Sequence, residues 1–387
     1  MCSSELTARD GNPVKQLTLL LFALSLLLSC TAASSSKPAS HATALPRPLP
    51  EFSYADGWLG ADDAYSLALT PMTSLWLFGD TFVGDPGTKL RSESKAMVRN
   101  SIGLSRCETG SPCEMQYFWQ KASDPKPRSF FDTGTDELWY WPLDGFLEDK
   151  VLSICLLAVR NKPGARPADA FGFEIVGTKL ATIGNAHASP DKWEIAVHDL
   201  TDARLWAGVS LVPDGKYVIW YTQVSEGEGK GFMAVMRTPQ GKMANPSGSW
   251  EYLRNDNRWT AGLAGPDAKK VIDQPISEMS VRYHSPIKKW LAISTGPEFP
   301  SPRAVARTAD SPVGPWSAPR MIYEFPEMKR DRPGYDKDTF CYAVKEHTEF
   351  TESKIALSYA CNSMVLAKTI ANMNIYCPRV VILDLPK

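Results

Sequence analysis

The sequence predicts an all-β protein, a five-bladed β-propeller, on three observations. Its apolar segments are short, turn-bounded and rich in Trp, Tyr, Phe, Gly and Pro, with no sustained helical period. A loose unit recurs at about 50–70 residues, the range in which propeller blades occur. Each unit opens with a hairpin, and most continue into an outer strand. Five four-stranded units closed in a ring protect their sheet edges and leave a central funnel. A large β-sandwich, or two, is the rival architecture; the regular hairpin repeat argues against it.

The chain opens with a segment of another kind. Residues 16–28, Gln-Leu-Thr-Leu-Leu-Leu-Phe-Ala-Leu-Ser-Leu-Leu-Leu, form the one long apolar run, behind Lys15. It is short for a membrane span and reads as the apolar stretch of a signal peptide. Leu27-Leu-Ser-Cys30 resembles a bacterial lipobox. The expectation is a signal peptide over 1–29, cleavage before Cys30, and a lipid anchor on that cysteine. An ordinary secretory signal cut near Ala32-Ala33 is the alternative. Glu5 and Asp10 offset Arg9 and Lys15, and Asn12-Pro13 breaks the leading segment, which points to a start downstream of Met1. Residues 30–50 are Ser-, Ala- and Pro-rich and read as a flexible tether. The propeller then occupies 51–387. The expected location is the bacterial cell envelope, periplasmic or surface-exposed, with the membrane engaged only through the lipid.

Five hairpins follow in order. The first pairs Asp63–Leu69 with Leu75–Asp80. The second opens with Lys150–Val159 and returns with Phe171–Val176. The third is Trp206–Val212, a Pro-Asp-Gly turn, then Tyr217–Thr222. The fourth is Glu278–Tyr283, a His-Ser-Pro turn, then Trp290–Thr295. The fifth pairs Cys341–Val344 with Ile355–Cys361. Phe232–Arg237 and Ala304–Thr308 are outer-strand segments.

The cysteines suit an exported protein. Cys107 and Cys113 flank a short polar loop that a disulfide would close. Cys341 and Cys361 sit opposite each other in the fifth hairpin, where a bridge is feasible although cross-strand geometry is often strained. Cys155 lies in an apolar run and reads as a buried thiol. No spacing suggests zinc. The net charge is −1, and no basic block marks a nucleic-acid surface. The expected assembly is a monomer.

In a propeller the inner strands all start at the funnel. Asp62 or Asp63, Glu148-Asp149, Trp206, Glu278 and Tyr342 occupy those starts, and Asp80 and Asn362 close second strands on the same side. Asp62, Asp63 and Asp80 meet because the start of one antiparallel strand lies beside the end of the next. Clustered carboxylates raise one another's pKa, as acid–base work requires. Carboxylates beside Trp and Tyr faces suit a sugar: the acids cleave and the rings cover its C–H face. A solvated, charged hairpin end is the plainer reading of the first hairpin. For Glu278 it is an ion pair with Arg282 or Arg303. For Trp206 it is a wedge between blades.

Several segments resemble a known family. They are Gly60-Ala-Asp-Asp-Ala-Tyr-Ser66, Leu75-Trp-Leu-Phe-Gly-Asp-Thr-Phe-Val-Gly84, Arg99-Asn-Ser-Ile102, Ser277-Glu-Met-Ser-Val-Arg282, Arg307–Ser317 and Tyr359-Ala-Cys-Asn-Ser363. Together they are similar to the domains of unknown function numbered 4185 and 5005, within the superfamily of family 43 and family 32 glycoside hydrolases. The resemblance covers nearly all of residues 51–387. It implies a five-bladed propeller with a carboxylate-lined funnel. It implies Asp62 as base or nucleophile and Glu278 as general acid, with Asp80 and Asn100 in the substrate pocket. Glu148 or Asp149 would be the orienting acid of the second blade. Asp63 stands where the pattern has glycine. Apolar Ile276 and Met279 beside Glu278 favour its holding the proton.

The functional expectation is an extracellular carbohydrate-active protein. It is a glycoside hydrolase acting on furanosidic, arabinan-like polysaccharide through Asp62, Glu278 and Asp149, with Asp63, Asp80, Asn100, Glu148, Trp206, Tyr342 and Asn362 binding substrate. A non-catalytic propeller that binds glycan or another surface protein is the competing class, because a fold hosts many functions. No redox or group-transfer cofactor is expected; a structural calcium in the funnel, near His347, is compatible with the superfamily.

Overall fold

A computed structural model describes residues 48–386, except 109–110, 122–125, 166–170 and 228. The signal segment, Cys30 and the tether up to residue 47 lie outside the described residues. Among the described residues no helix is long and apolar enough to cross a membrane.

The strands form five antiparallel sheets in chain order. Blade one holds β1 (Trp58–Thr70), β2 (Thr73–Val83), β4 (Ser101–Arg106) and β5 (Glu114–Phe118), with β3 (Ala96–Val98) paired to the end of β2. Blade two holds β6 (Leu138–Glu148), β7 (Val151–Asn161), β8 (Phe173–Ile183) and β9 (Ile195–Asp202). Blade three runs from β10 (Leu205–Asp214) through β11 (Tyr217–Gly227), β12 (Lys230–Pro239) and β13 (Glu251–Leu253) to β14 (Trp259–Ala261). Blade four has β15 (Met279–His284), β16 (Lys289–Thr295), β17 (Arg303–Ala309) and β18 (Arg320–Glu324). Blade five has β19 (Thr339–Glu346), β20 (Lys354–Ser363) and β21 (Arg379–Asp384), with the short helix α1 (Leu366–Ala371) after β20.

The inner strands β1, β6, β10, β15 and β19 contact one another in sequence, and β1 touches both β19 and β20, so the ring closes between blades one and five. Arg91 clasps that closure. Fully buried, it donates to Leu59 O at 2.8 Å in blade one and to Thr369 O, Asn372 O and Ile375 O beyond β20. A buried guanidinium is tolerated because its donors find four carbonyls and the Tyr54 hydroxyl. The largest hydrophobic core lies between the sheets of blades one to four; a second joins blades four and five. Both disulfides form: Cys107–Cys113 closes its loop, and Cys341–Cys361 is a directly opposed pair of β19 and β20. Cys155 is a buried thiol, raised by burial.

Blade two corrects the sequence reading. Val151–Asn161 is the second strand, not the innermost, and the inner strand is Leu138–Glu148. The second strand pairs on both edges and packs on both faces, so it carries the more continuous apolar run. The inner strand is interrupted by a bulge between Pro142 and Gly145 that holds Asp144. Similar irregularities break β1 around Asp63, β10 between Ala207 and Ser210, and β19 between Tyr342 and Lys345. Four of the five inner strands therefore bend near the same depth of the funnel, as bulged strands do.

Candidate active site

Two carboxylate groups gather at the funnel mouth. The first comes from blade one alone. Asp62 lies on β1 and Asp80 on the facing stretch of β2. Gly79 makes their approach feasible, since a Cβ there would collide with Asp62 Oδ1. Asp62 Oδ2 accepts from the Tyr342 hydroxyl at 2.6 Å, and the Tyr376 hydroxyl lies 3.3 Å away. Asp80 accepts from Trp141 Nε1 at 2.9 Å and from Arg99 Nη1 at 3.3 Å. Arg99 in turn covers the Trp139 ring, 4.3 Å from its centroid. Burial, the Asp80 charge and the Glu278 charge push Asp62 up to about 7, against the two tyrosine hydrogen bonds that favour its ionised form. Asp80 is raised by burial, with Arg99 and Trp141 opposing.

The second group joins three blades. Lys345 Nζ on β19 pairs with Asp63 Oδ1 and lies 3.0 Å from Glu278 Oε1, the residue before β15. Burial works against the lysine charge, but Asp63 and Glu278 outweigh it and raise its pKa, so it stays a cation. Its ammonium also sits 4.2 Å from the centre of the Tyr65 ring. Asp63 is raised well above the usual carboxylate range by burial, and the adjacent Glu278 carboxylate, to which it is hydrogen-bonded, adds to the shift; Lys345 opposes it. Glu278 keeps 23% of its side chain exposed, so it is the member of this group open to a ligand. Asp63 has φ 71° and Ala64 φ 82°, a left-handed pair where glycine is the easier residue. The bulge around them lets Asp62 and Asp63, neighbours that would face opposite ways in a regular strand, both serve the funnel.

The floor of the funnel is built from side chains that cross it. The Tyr65 hydroxyl on blade one donates to Val209 O on blade three at 2.9 Å. Asp144 on blade two accepts from Leu211 N at 2.8 Å and faces Arg282 on blade four at 3.4 Å. Ser210 Oγ accepts from Val281 N at 3.1 Å. Tyr65–Val209 and Asp144–Arg282 tie non-adjacent blades together, and the other two bonds join neighbouring blades into the same polar plug.

The remaining sequence candidates fall elsewhere. Glu148 and Asp149 sit at the β6–β7 turn, at the opposite end of their strand from the funnel mouth. Glu148 caps Gly241 N at 2.6 Å, and Asp149 is exposed with φ 53°. Their placement follows from the strand order of blade two, and the buried acid that β6 contributes is Asp144. Asn100 is completely buried. Its amide donates to Phe131 O and Tyr140 O, and its oxygen accepts from Phe131 N at 2.7 Å, which leaves nothing for a ligand. Trp206 packs on the main core with Nε1 on Ala203 O, as a wedge. Asn362 accepts from Thr369 and Ser363 N, and its amide reaches the Tyr342 hydroxyl at 3.4 Å; it supports that tyrosine. Sequence reasoning missed Lys345, Trp141, Arg99 and Tyr376. Lys345 carried one usable signal, a lysine within the apolar fifth hairpin.

The residues near His347 do not fit calcium, which takes six to eight oxygen ligands. Both ring nitrogens are engaged, by Ser66 Oγ at 2.6 Å and Ser358 Oγ at 2.7 Å. Burial, with Lys345 and Arg282 nearby, depresses the imidazole to about 3, and the same cations disfavour a metal. Glu327 lies near Cys341 and Cys361 at metal-like spacing, but those sulfurs form a disulfide.

The family model described as "Domain of unknown function (DUF5005)" matches residues 52–381, and the chain belongs to that family. No curated protein matches. Among solved structures, a protein of Bacteroides ovatus ATCC 8483, provisionally described as a hydrolase, is 18% identical with a TM-score of 0.64, over 86% of this chain and 87% of that one. The endo-arabinase of Bacteroides thetaiotaomicron VPI-5482 is 12% identical with a TM-score of 0.44, over 87% and 98%. A GH43_1 enzyme of Xanthomonas citri complexed with xylose is 11% identical with a TM-score of 0.46, over 84% and 87%. At these identities the likeness is one of fold, the five-bladed propeller.

Proposed function

We propose that this chain is a glycoside hydrolase of the extracellular space, acting on furanosidic, arabinan-like glycan. One observation carries the reading: two carboxyls in unlike surroundings, Asp62 among tyrosines and Glu278 beside a lysine, lie within electrostatic reach of each other. Glycosidic cleavage needs a protonated carboxyl for the leaving oxygen and an ionised one to attack or to activate water. Asp62, pushed up to about 7, holds its proton in mildly acidic solution. Glu278, partly exposed and 3.0 Å from the Lys345 ammonium, takes the attacking or water-activating role. The Asp63 carboxyl, raised by burial, orients Glu278 through their hydrogen bond. This division reverses the one that the sequence suggests, because the sequence neighbours of Glu278 are apolar whereas its spatial neighbour is a lysine from blade five. Aromatic rings at the mouth supply faces for a sugar.

The test is a polysaccharide panel, arabinan included, read by the appearance of reducing ends. Asp62→Asn and Glu278→Gln are each expected to lower turnover by about a hundredfold or more. Asp62→Asn should spare activated aryl glycosides, whose leaving groups need no proton, and Glu278→Gln should not. The opposite pattern would restore the reverse roles. Glycan retention without new reducing ends would replace the hydrolase by a binding propeller.

The proposal includes the cell envelope as location, supported by Leu27-Leu-Ser-Cys30. Cys30→Ala should abolish metabolic lipid labelling and release the protein from membranes; unchanged partition would remove the anchor from the reading.

A further inference from the structure

We infer that a closed collar of aromatic side chains restricts the pocket to the free end of a glycan chain; this rests on the hydrolase reading above and specifies its substrate class. The collar can be traced ring by ring. Trp141 on β6 hydrogen-bonds Asp80 and packs on Phe173 at 4.7 Å. Phe173 meets Phe171 at 6.4 Å, in the connection between β7 and β8. Phe171 meets Phe299, in the connection between β16 and β17, at 5.9 Å. Phe299 meets Phe340 at 5.6 Å, and Phe340 stacks on Tyr342 at 5.2 Å. Tyr342 hydrogen-bonds Asp62 at 2.6 Å. Asp62 and Asp80 both belong to blade one, so the path returns to its start.

The decisive link is Phe171 with Phe299. It joins blade two to blade four and bypasses blade three. Adjacent blades touch in any propeller, but blades two and four meet at the rim only by reaching across the funnel face. Both connections lie on the funnel side, because inner strands start there and second strands end there. An open cleft would let a polymer lie across that face and leave in both directions. Here the blade-three side is crossed by two phenylalanines, and the floor is closed by Tyr65 and the Asp144 network. A chain segment with two continuing ends has no second exit; a chain end needs only one.

Phe171 and Phe299 are 53% and 63% exposed. Exposed large aromatics carry a cost in solubility that a fold has no structural reason to bear. Their ring contacts are with each other and with Phe173 and Phe340, which suits a rim that presents ring faces and edges to a sugar. Their exposure also makes them safe to change.

The experiment compares two forms of one glycan. Linear α-1,5-arabino-oligosaccharides offer free ends; dye-cross-linked arabinan offers mid-chain segments and few ends. The wild-type protein should process the oligosaccharides from one end, giving a single short product from the earliest times, and release dye at least about tenfold more slowly. The double variant Phe171→Ala/Phe299→Ala, with an unchanged melting temperature, should gain dye release and produce mixed product lengths. Equal wild-type action on both forms overturns the collar, as does a double variant with the wild-type ratio. Failure of the hydrolase reading is distinguishable: with no turnover of either form, calorimetric titration compares oligosaccharides free at both ends with the same chains blocked at both. Selective binding of the free-ended chains keeps the collar without catalysis, and equal binding of both removes it.

Discussion

Asp62→Asn should make the protein more stable in alkaline solution. In the folded protein this carboxyl is raised from 3.8 to about 7, chiefly by burial and then by Asp80. A shift of about three units is worth roughly 4 kcal/mol at 1.36 kcal/mol per unit. Asp62 is half-buried rather than fully enclosed, which lowers the expectation to about 2–4 kcal/mol. The folded pKa lies above the unfolded one, so the folded state holds more protons between about pH 4 and 7. Stability therefore falls as pH rises through that window and stays low above it. Asparagine removes the penalty while its oxygen still accepts from Tyr342. Unfolding measured at pH 4.5 and pH 8 should show a gain concentrated at pH 8, on the order of 5 °C in melting temperature. A variant less stable than its parent at pH 8, or a pH-independent difference, would mean that desolvation of a charged Asp62 is not a stored cost in this fold.

Lys345→Met should cost about 3–5 kcal/mol in denaturant unfolding, because Asp63 and Glu278 lose the buried cation that they share. A variant with the parent's stability would show that the cluster does not depend on the lysine charge. Asn100→Ala should cost about 1–3 kcal/mol in denaturant unfolding, since buried carbonyls of Phe131 and Tyr140 and the Phe131 amide lose their partner. Its pH–rate profile should not move; a selective loss of substrate affinity would return Asn100 to the pocket.

What the sequence made legible were the features that a hairpin encodes locally. Asp62 and Asp80 meet because one turn brings β1 and β2 together, and that turn can be read from the alternation around residues 63–80; Asp63 turns instead to Lys345 and Glu278. Glu278 and Tyr342 follow from the same rule applied to blades four and five. Blade two failed because apolar content marks the most enclosed strand, not the innermost. Val151–Val159 is flanked by strands on both edges, while Leu138–Glu148 carries a proline, an aspartate and a glycine in its bulge. Once that strand is misplaced, the acid assigned to it lands at the wrong end of the blade.

The charge states of the site were hidden for a different reason. Asp63 and Glu278 are distant in sequence, and so is the lysine between them; nothing local to Glu278 announces Lys345. Nor does alternation announce a bulge. A glycine at position 63 would have marked one, because φ 71° suits it, but the chain holds an aspartate there. Residues kept in such conformations cost of order 1–3 kcal/mol each and persist where surrounding contacts fix them. Here the Lys345 pairing and the hydrogen bond to Glu278 are those contacts. The left-handed turn and the buried charge cluster thus support each other: the bend delivers Asp63 to the lysine, and the lysine holds the bend. Asp62, one residue earlier, is thereby released to face Asp80 and the tyrosines. A single distortion of β1 turns two adjacent aspartates into the same funnel, Asp63 beside Lys345 and Glu278, and Asp62 beside Asp80 and the tyrosines.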